Sequence, residues 1–291
     1  MALLTIIIAL FMDRVWGGAR QWREYQLPFN LITEMSWVQS LVQREAAFAV
    51  VFALLPLLLV VALLQVWLDS FLWDIPGLVF SIFIVLYCIG INDLTELANQ
   101  YRDAMQQGDD DSAYRVAGDF LGVDAPEDLE ERGHVLVFAV LVKANVAIFS
   151  VLFWFLLLGP LGAVLVRSVL MLRQQNLWSD NDAVATALYR MQSILNWIPA
   201  RLLAFSYALS GNFDLAFKAW KAGGDHYTRN LGDLSEELLI DIGGGALSLD
   251  PEKTPDSEWS DLLQSAIDLV WRSLFLWIVV LSLVTITGWV D

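Results

Sequence analysis

The sequence has little charge and almost no residues that bind metals. Charged residues make up 17% of its 291 residues, whereas soluble domains carry about 25%. It contains one cysteine, Cys88, and its two histidines, His134 and His226, have no partners at metal-ligand spacing. A single cysteine forms no disulfide within the chain, and nothing in the sequence predicts a metal site or a cofactor.

Signatures of nucleotide chemistry and of nucleic-acid binding are also missing. No Gly-x-x-x-x-Gly-Lys-Ser/Thr loop is present, and no grouping of residues singles out a catalytic residue. The net charge is −16, and the segment Ile91 to His134 alone holds 12 acidic residues against three arginines. Because an acidic surface repels phosphate backbones, these features exclude nucleic acid as a partner.

Long apolar segments are what the sequence has instead. A bilayer core of about 30 Å is crossed by about 20 apolar residues in a helix. Ala46 to Trp67 contains no Asp, Glu, Lys or Arg, and Val270 to Val290 contains only Arg272, so both are predicted spans. Leu3 to Met12 is short and has no basic residue before it. We therefore expect a retained, membrane-inserted piece and not a cleaved signal peptide.

Two further apolar segments complete the predicted membrane part. Pro76 to Ile91 follows the first span closely and predicts the second arm of a hairpin. Val135 to Leu172 is 38 residues long and is interrupted by Gly159-Pro160-Leu161-Gly162, which predicts a helix break. Its second part is short, typical of a half-helix or a re-entrant segment. Whether 135–172 crosses once or twice stays open, although Lys and Arg placement favours a return.

The predicted fold class is all-α: a polytopic helical membrane protein with re-entrant or half-helices and a cytoplasmic helical region. Basic residues mark the cytoplasmic side of membrane proteins, and 13–45 carries four arginines whereas the Leu68 to Ile75 turn carries none. We therefore divide the chain into a membrane bundle, a cytoplasmic or interfacial helical region, and a C-terminal transmembrane helix. These regions are 1–172, with cytoplasmic helical segments at 13–45 and 92–134, then 173–268 and 269–291.

Two polar stretches predict helical hairpins. The first, Leu97 to Leu121, turns at Gly108-Asp109-Asp110, and the second, Leu202 to Trp220, turns at Gly211-Asn212. We expect Asp111 or Asn212 to accept backbone N–H bonds at the helix that follows.

The candidate binding residues are arginines and amides in apolar surroundings. Asn196-Trp197-Ile198-Pro199-Ala200-Arg201 lies in an apolar run, where a proline is expected to break or kink the helix and a guanidinium needs an anionic or carbonyl partner. Arg167 lies in the short apolar segment after the glycine break. An anion-binding site at Arg167, Asn196 and Arg201 is one interpretation. Arg201 snorkelling from an interfacial helix is the other.

A third cluster, His226 to Asn230, precedes Ser235-Glu236-Glu237, a helix start. Its polar side chains are typical of a solvated surface, but we include three of them as hypothetical ligand-binding residues: His226, Arg229 and Asn230. Lys143, inside the apolar block, has the pattern of an interfacial lysine whose ammonium reaches water.

The sequence resembles a known family at these motifs. "NWIPARLL", "YALSGNFDLAFKAW" and "HYTRNLGDLSEELLIDIGGGAL" look like AmpE, a family of bacterial inner-membrane proteins linked to the regulation of β-lactamase induction. The resemblance implies a multi-pass inner-membrane location with mainly cytoplasmic polar segments, a muropeptide or nucleotide-like anion as ligand, and a functional link to the AmpD cell-wall amidase. It leaves a homo-oligomer open.

AmpE is in turn similar to the CobD/CbiB membrane proteins, which attach an aminoalcohol arm in cobalamin biosynthesis. The similarity includes "LFW" at Leu152 to Trp154, the break at Gly159 to Gly162, and Arg167. The biosynthetic proteins usually carry Glu-Asn before the Leu-Phe-Trp element and Asp-Ser-Met after the half-helix. Here the sequence reads Lys143-Ala144-Asn145 and Met171-Leu172-Arg173. We therefore rank a regulator first, a CobD/CbiB-like enzyme or related ligase second, and a transporter third.

Overall fold

The computed structural model describes residues 2–15, 46–69, 75–174, 182–223, 234–249 and 259–286, and all regular elements in these ranges are helical. The all-α prediction is therefore confirmed. In chain order the helices are α1 (Ala2–Val15), α2 (Ala46–Asp69), α3 (Ile75–Cys88), α4 (Ile91–Gln107), α5 (Asp110–Leu121), α6 (Leu129–Ala144), a π-helix (Asn145–Phe149), α7 (Ser150–Leu158), α8 (Pro160–Gln174), α9 (Asp182–Ser210), α10 (Phe213–Gly223), α11 (Leu234–Ala246) and α12 (Trp259–Ile286).

Three helical stretches among the described residues are long and apolar enough to cross a membrane. They are Val50–Leu68 in α2, Leu129–Leu158 through α6, the π-helix and α7, and Asp261–Thr285 in α12. The predicted spans at Ala46 to Trp67 and Val270 to Val290 overlap the first and the last of these stretches, and a third lies between them. The chain is an α-helical membrane protein.

The second arm of the predicted hairpin is shorter than its apolar sequence. Helix α3 ends at Cys88, and the chain leaves helical conformation at Ile89 and Gly90. At about 1.5 Å per residue, its 14 residues extend only about 21 Å, less than a hydrocarbon core of about 30 Å.

Contacts divide the described residues into two compact units. One contains those within 1–89 and 146–197, and the other those within 90–145 and 198–289. The predicted regions 1–172, 173–268 and 269–291 differ in their expected location relative to the membrane. Units defined by contacts do not test that location. That division stays a prediction.

The glycine-proline break is confirmed. Helix α7 ends at Leu158, Gly159 adopts φ +65° and ψ −151°, and α8 begins at Pro160. Only glycine adopts this backbone conformation at little cost. Proline suits the first position of a helix, where its missing N–H would have had no partner. A single glycine therefore ends one helix, and the proline starts the next.

The break expected at Pro199 is wrong. Helix α9 runs without interruption through Asp182–Ser210 with Pro199 inside it. Arg201 is consequently an ordinary helical residue and does not lie at an opening in the backbone. The physical reason, a side chain that replaces the missing backbone donor, belongs to the site described below.

Both predicted hairpin turns are present. Gly108 has a left-handed conformation, and the side chain of Asp109 accepts the N–H of Ser112 at 3.0 Å. The cap is therefore Asp109, and the expectation for Asp111 is wrong because Asp111 already lies within the first turn of α5. At the second turn Asn212 accepts the N–H of Leu215 at 3.2 Å, as predicted.

Candidate functional site

A buried polar contact joins α7 to α9 in the first unit. The Ser150 hydroxyl donates a hydrogen bond to Oδ1 of Asn196 over 2.8 Å. Both side chains are buried, so water does not compete for this bond. An unpaired buried amide oxygen would cost about 1–3 kcal/mol, and Ser150 removes that cost.

One turn further along α7, Trp154 makes a second contact with α9. Its indole Nε1–H donates to the carbonyl oxygen of Leu195 over 2.8 Å. In a regular helix this carbonyl would accept the N–H of residue 199, but proline has none. The indole therefore supplies the donor that Pro199 lacks, which explains why α9 continues through its proline.

The backbone of Trp154 also sets the distance between α7 and α8. A Cβ added to Gly162 would lie 2.0 Å from the carbonyl oxygen of Trp154, closer than any side chain permits. Gly162 is thus required for the close approach of these helices, just as Gly159 is required for the turn between them.

Ser150, Trp154, Gly162, Leu195 and Asn196 form one cluster, the tryptophan junction. It brings the Asn196 segment, one of the motifs that resemble AmpE, together with Leu152 to Trp154 and Gly159 to Gly162, which belong to the wider similarity with CobD/CbiB. The donors and acceptors described above are paired with one another, and the junction has no charged member. Its hydroxyl, that of Ser150, donates to an amide oxygen and not to a base, so the contacts described here position helices.

In the first unit, the buried polar side-chain atoms without a hydrogen-bond partner among the described residues lie on α8. Nε of Arg167 and the hydroxyl of Ser168 are buried and have no hydrogen-bond partner among the described residues. Arg167 is close enough to Tyr87 for its charge to act on that hydroxyl. A guanidinium with an unused buried donor suits an oxyanion such as a carboxylate or phosphate.

Arg173, at the end of α8, gives a useful contrast. Its Nη1 donates to Oε1 of Gln192 at 2.7 Å, and its guanidinium lies 5.0 Å from the ring centroid of Tyr189. Two α9 side chains therefore already engage this arginine. Of the two α8 arginines, Arg167 has the unused donor.

The predicted site residues are distributed unevenly. Arg167 and Asn196 belong to the first unit, whereas half-buried Arg201 belongs to the second. Asn196 uses its side-chain oxygen inside the tryptophan junction. The shared anion site stays a prediction. His226, Arg229 and Asn230 lie outside the described residues.

Arg132 is a buried charge that sequence reasoning missed. It is 1% exposed and donates to Asp110 Oδ1 at 2.6 Å, to the Pro126 carbonyl at 3.0 Å and to the Glu127 carbonyl at 2.9 Å. Its guanidinium also lies 5.4 Å from the ring centroid of Tyr114. These contacts tie the loop before α6 to the start of α5, so Arg132 is structural. The available signal was one arginine placed where an acidic run meets an apolar helix.

Burial raises the pKa of the neighbouring Tyr101 hydroxyl, while the positive charge of Arg132 opposes that shift. Tyr101 therefore stays protonated at neutral pH. Within the ranges that the structure describes, no group of three or more His, Cys, Asp and Glu side chains could hold a metal ion.

The ammonium of Lys143 bonds to the protein, whereas its sequence position predicted an ammonium that reaches water. Its ammonium donates to the carbonyl of Phe120 and lies 4.3 Å from the centroid of that ring. Phe120 is in the last turn of α5, where carbonyls carry partial negative charge. Asn145, two residues later, opens the π-helix with its side-chain oxygen buried and without a hydrogen-bond partner among the described residues.

The helices thus define an all-α polytopic membrane protein, in which the tryptophan junction joins α7, α8 and α9. Comparison with known proteins adds the family. The family model described as "Regulatory signalling modulator protein AmpE" matches residues 1–290, and the chain belongs to the AmpE family.

Individual relatives carry two different names. Protein AmpE of Shigella flexneri is 26% identical over 306 residues, covering 99% of each chain. Cobalamin biosynthesis protein CobD of Stutzerimonas stutzeri is 29% identical over 305 residues, covering 96% of each, and CobD of Chromobacterium violaceum is 28% identical over 301 residues, covering 94% of each. No solved structure matches the chain.

Proposed function

We propose that this protein is an inner-membrane regulator of β-lactamase induction and of the response to cell-wall stress. The observation that carries the proposal is the match of the AmpE family model over residues 1–290. The site chemistry agrees with it, because the contacts of the tryptophan junction position helices and its Ser150 hydroxyl donates to an amide oxygen and not to a base. A regulator needs helices with defined positions and a ligand or partner that biases them.

The ligand in this proposal is a small anion, a muropeptide fragment or a nucleotide-like molecule, bound at Arg167. The unused donor at Arg167 Nε supports this choice, and its neighbour Ser168 has an unused hydroxyl. A muropeptide ligand would also give the protein its functional link to the AmpD amidase. Arg201, His226, Arg229 and Asn230 remain candidates for the same ligand, and a homo-oligomer remains part of the proposal.

The test replaces arginines by lysine and measures β-lactamase induction by a β-lactam in a strain that carries each variant. Lysine keeps the charge but cannot reproduce the planar fork of donors. Arg167→Lys should lower induction at least tenfold at unchanged membrane level, determined by immunoblot. Arg201→Lys should do the same if Arg201 contacts the anion.

Arg173→Lys is the matched control, since Arg173 lies on the same helix and already bonds Gln192. Its induction should stay within about twofold of the wild type. Normal induction in strains with Arg167→Lys and Arg167→Ala would show that the ligand does not bind at Arg167. Normal induction in strains with Arg201→Lys and Arg201→Ala would show the same for Arg201. Normal induction in a strain lacking the whole gene would refute the regulatory function itself.

The proposed orientation has residues 134 and 255 in the cytoplasm and residue 70 in the periplasm, from the asymmetry of Lys and Arg. Single cysteines at these positions, in a Cys88→Ala background, should react accordingly with a membrane-impermeant maleimide. Labelling of position 255 from outside intact cells would mean that 135–172 crosses the membrane once.

The second candidate function is a CobD-like enzyme of cobalamin biosynthesis. It is favoured by the 29% identity with CobD of Stutzerimonas stutzeri across 96% of both chains. The replacement of the expected Glu-Asn and Asp-Ser-Met motifs counts against it. We expect no growth when this gene alone is supplied to a cobalamin-dependent strain lacking its CobD. Growth would reverse the order of the two candidates.

A further inference from the structure

The C-terminal half of α9 exposes a continuous apolar stripe. Ile198, Leu202, Phe205 and Leu209 are 41%, 43%, 52% and 50% exposed. Their spacing of four, three and four residues puts them on one face of the helix. On the opposite face Leu203, Ala204 and Tyr207 are fully buried. Large apolar side chains in an unbroken row rarely face water.

Two polar side chains of this half-helix, Ser206 and Tyr207, bond to helices that are candidate spans, whereas half-buried Arg201 lies beside the stripe. Trp277 Nε1 donates to the hydroxyl of Ser206 at 2.9 Å, and the hydroxyl of Tyr207 donates to the carbonyl of Leu141 at 3.0 Å. Trp277 lies within Asp261–Thr285 and Leu141 within Leu129–Leu158.

The hydrogen bond between Trp277 and Ser206 places the stripe beside a candidate membrane span. A side chain that hydrogen-bonds to a residue inside a membrane span lies at membrane depth. Phe205 precedes Ser206 directly and is exposed. Close to Trp277, α12 has its own exposed apolar row: Phe275, Val279, Val280 and Leu283. The stripe and this second apolar row are thus linked by the hydrogen bond between Ser206 and Trp277.

Helix α10, which follows the turn at Gly211-Asn212, carries exposed aromatic and charged side chains that are typical of helices at a membrane interface. On α10 the exposed rings of Phe213 and Phe217 stack with centroids 5.7 Å apart, and Asp214, Lys218 and Lys221 are exposed beside them. Charged side chains are costly in hydrocarbon, whereas lysines are favourable among anionic headgroups. This mixed face suits the interface.

We propose that the stripe Ile198, Leu202, Phe205 and Leu209 contacts lipid hydrocarbon chains, with α10 lying along the headgroups. The half-helix is then a membrane-embedded element within a region predicted from sequence to be cytoplasmic or interfacial. The inference does not depend on the proposed regulatory function, because it follows from packing within one unit.

The experiment uses full-length protein in phosphatidylcholine–phosphatidylglycerol vesicles. In a Cys88→Ala background, Phe205→Cys carries an environment-sensitive NBD fluorophore, which is quenched either by doxyl-labelled lipid or by aqueous iodide. Phe275→Cys, on the C-terminal span, is the positive control, and exposed Asp103→Cys on α4 is the negative control. We expect doxyl quenching at 205 to reach at least half of that at 275, with iodide quenching at least fivefold below that at 103.

Leu209→Cys repeats the measurement one turn away, so that a defect of one variant does not decide the result. Iodide quenching as strong as at position 103 would show that the stripe faces water. Quenching by neither reagent, with bis-maleimide cross-linking of Phe205→Cys into dimers, would assign the stripe to a second copy of the chain. Quenching by neither reagent without dimers would place it inside the protein. Each of these three results overturns the proposal.

Discussion

Two prolines in apolar helices have opposite consequences in this molecule. Pro160 stands at the start of α8, directly after a helix that ends, whereas Pro199 lies inside α9 without interrupting it. Both lack a backbone N–H, and both prevent a regular bond to the carbonyl four residues earlier. Proline alone therefore does not decide whether a helix breaks.

The difference comes from the neighbours. Before Pro160 stands Gly159, whose φ of +65° and ψ of −151° are accessible to glycine and send the chain into a new helix. Before Pro199 there is no glycine, and the carbonyl of Leu195 receives the indole N–H of Trp154. Gly159 thus lets the chain leave one helix before Pro160 starts the next, whereas at Pro199 another group bonds to the freed carbonyl.

The strongest way to disturb the break is Gly162→Ala. Because the new Cβ would meet the Trp154 carbonyl oxygen at 2.0 Å, backbone atoms must move and α7 must separate from α8. Overpacking of this kind costs about 3 kcal/mol or more when the backbone is the obstacle. The expected result is a large drop in the temperature of unfolding in detergent, followed by tryptophan fluorescence.

Gly118→Ala is the control for that variant. Gly118 lies inside α5, and its added Cβ would meet only ordinary contacts, 3.5 Å from the Val123 carbonyl oxygen. Alanine favours a helix over glycine by about 1 kcal/mol. Stability equal to or above the wild type is expected. Equal stability of Gly162→Ala and Gly118→Ala would contradict the close approach of α7 and α8.

A smaller effect is expected from Trp154→Phe, which tests why α9 stays continuous. Phenylalanine keeps an aromatic ring but loses the N–H, leaving the Leu195 carbonyl buried without a donor at a cost of about 1–3 kcal/mol. Adding Pro199→Ala restores the helical N–H to that carbonyl. The double variant Trp154→Phe/Pro199→Ala should therefore be more stable than Trp154→Phe.

The same unfolding measurement on all four proteins gives the coupling between positions 154 and 199. Pro199→Ala alone also shows whether Trp154 and a backbone N–H can share one carbonyl. Strictly additive effects would mean that the indole does not replace the missing donor. The continuity of α9 would then need another explanation.

The smallest effect is expected at the exposed turn around Gly108, which separates α4 from α5. The side-chain and backbone hydrogen bonds from Ser112 lower the pKa of Asp109 below its ordinary value. The cap therefore stabilises the fold fully at pH values above the ordinary pKa of an aspartate. This stabilisation is lost as the pH falls through the lower pKa that Asp109 has in the folded state. Asp109→Asn should remove this part of the acid sensitivity.

Unfolding of the wild type and of Asp109→Asn between about pH 6 and pH 3 measures the effect, since carboxyl groups titrate in this range. The difference between the two curves should be small and confined to the acidic end. A difference of constant size across the range would show that the charge of Asp109 does not contribute to the cap. Exposed carboxylates elsewhere are common to both proteins and cancel.

Local signals predicted much of this architecture. The spans follow from charge-free apolar runs, and the break follows from Gly159-Pro160, because all the groups involved are neighbours in sequence. Pro199 was misjudged since its compensating donor, Trp154, lies 41 residues from Leu195. Arg132 was missed for a related reason: its carboxylate partner is 22 residues away. Partners at such separations are chosen by tertiary packing, which a pattern of single residues does not encode.

The candidate site shows the same limit. Asn196 was singled out correctly as unusual, but its partner Ser150 carries no sequence signature. Arg167 stood out because an arginine in an apolar segment requires a partner, and its unused donor agrees with that argument. Which of the two α8 arginines already has partners does not follow from the sequence. Arg173 differs from Arg167 in its contacts with Gln192 and Tyr189, and both of these lie on another helix.

The π-helix at Asn145–Phe149 determines the rotational phase of the helix that follows it. An α-helix advances about 100° per residue, so a one-residue bulge turns every later side chain by about that angle. Ser150 and Trp154, which donate to α9, lie in the first turns of the helix that follows this bulge. Deletion of a single residue such as Ala147 would keep the length and apolarity needed for a span, yet it would turn both side chains by about 100° relative to the residues before the bulge.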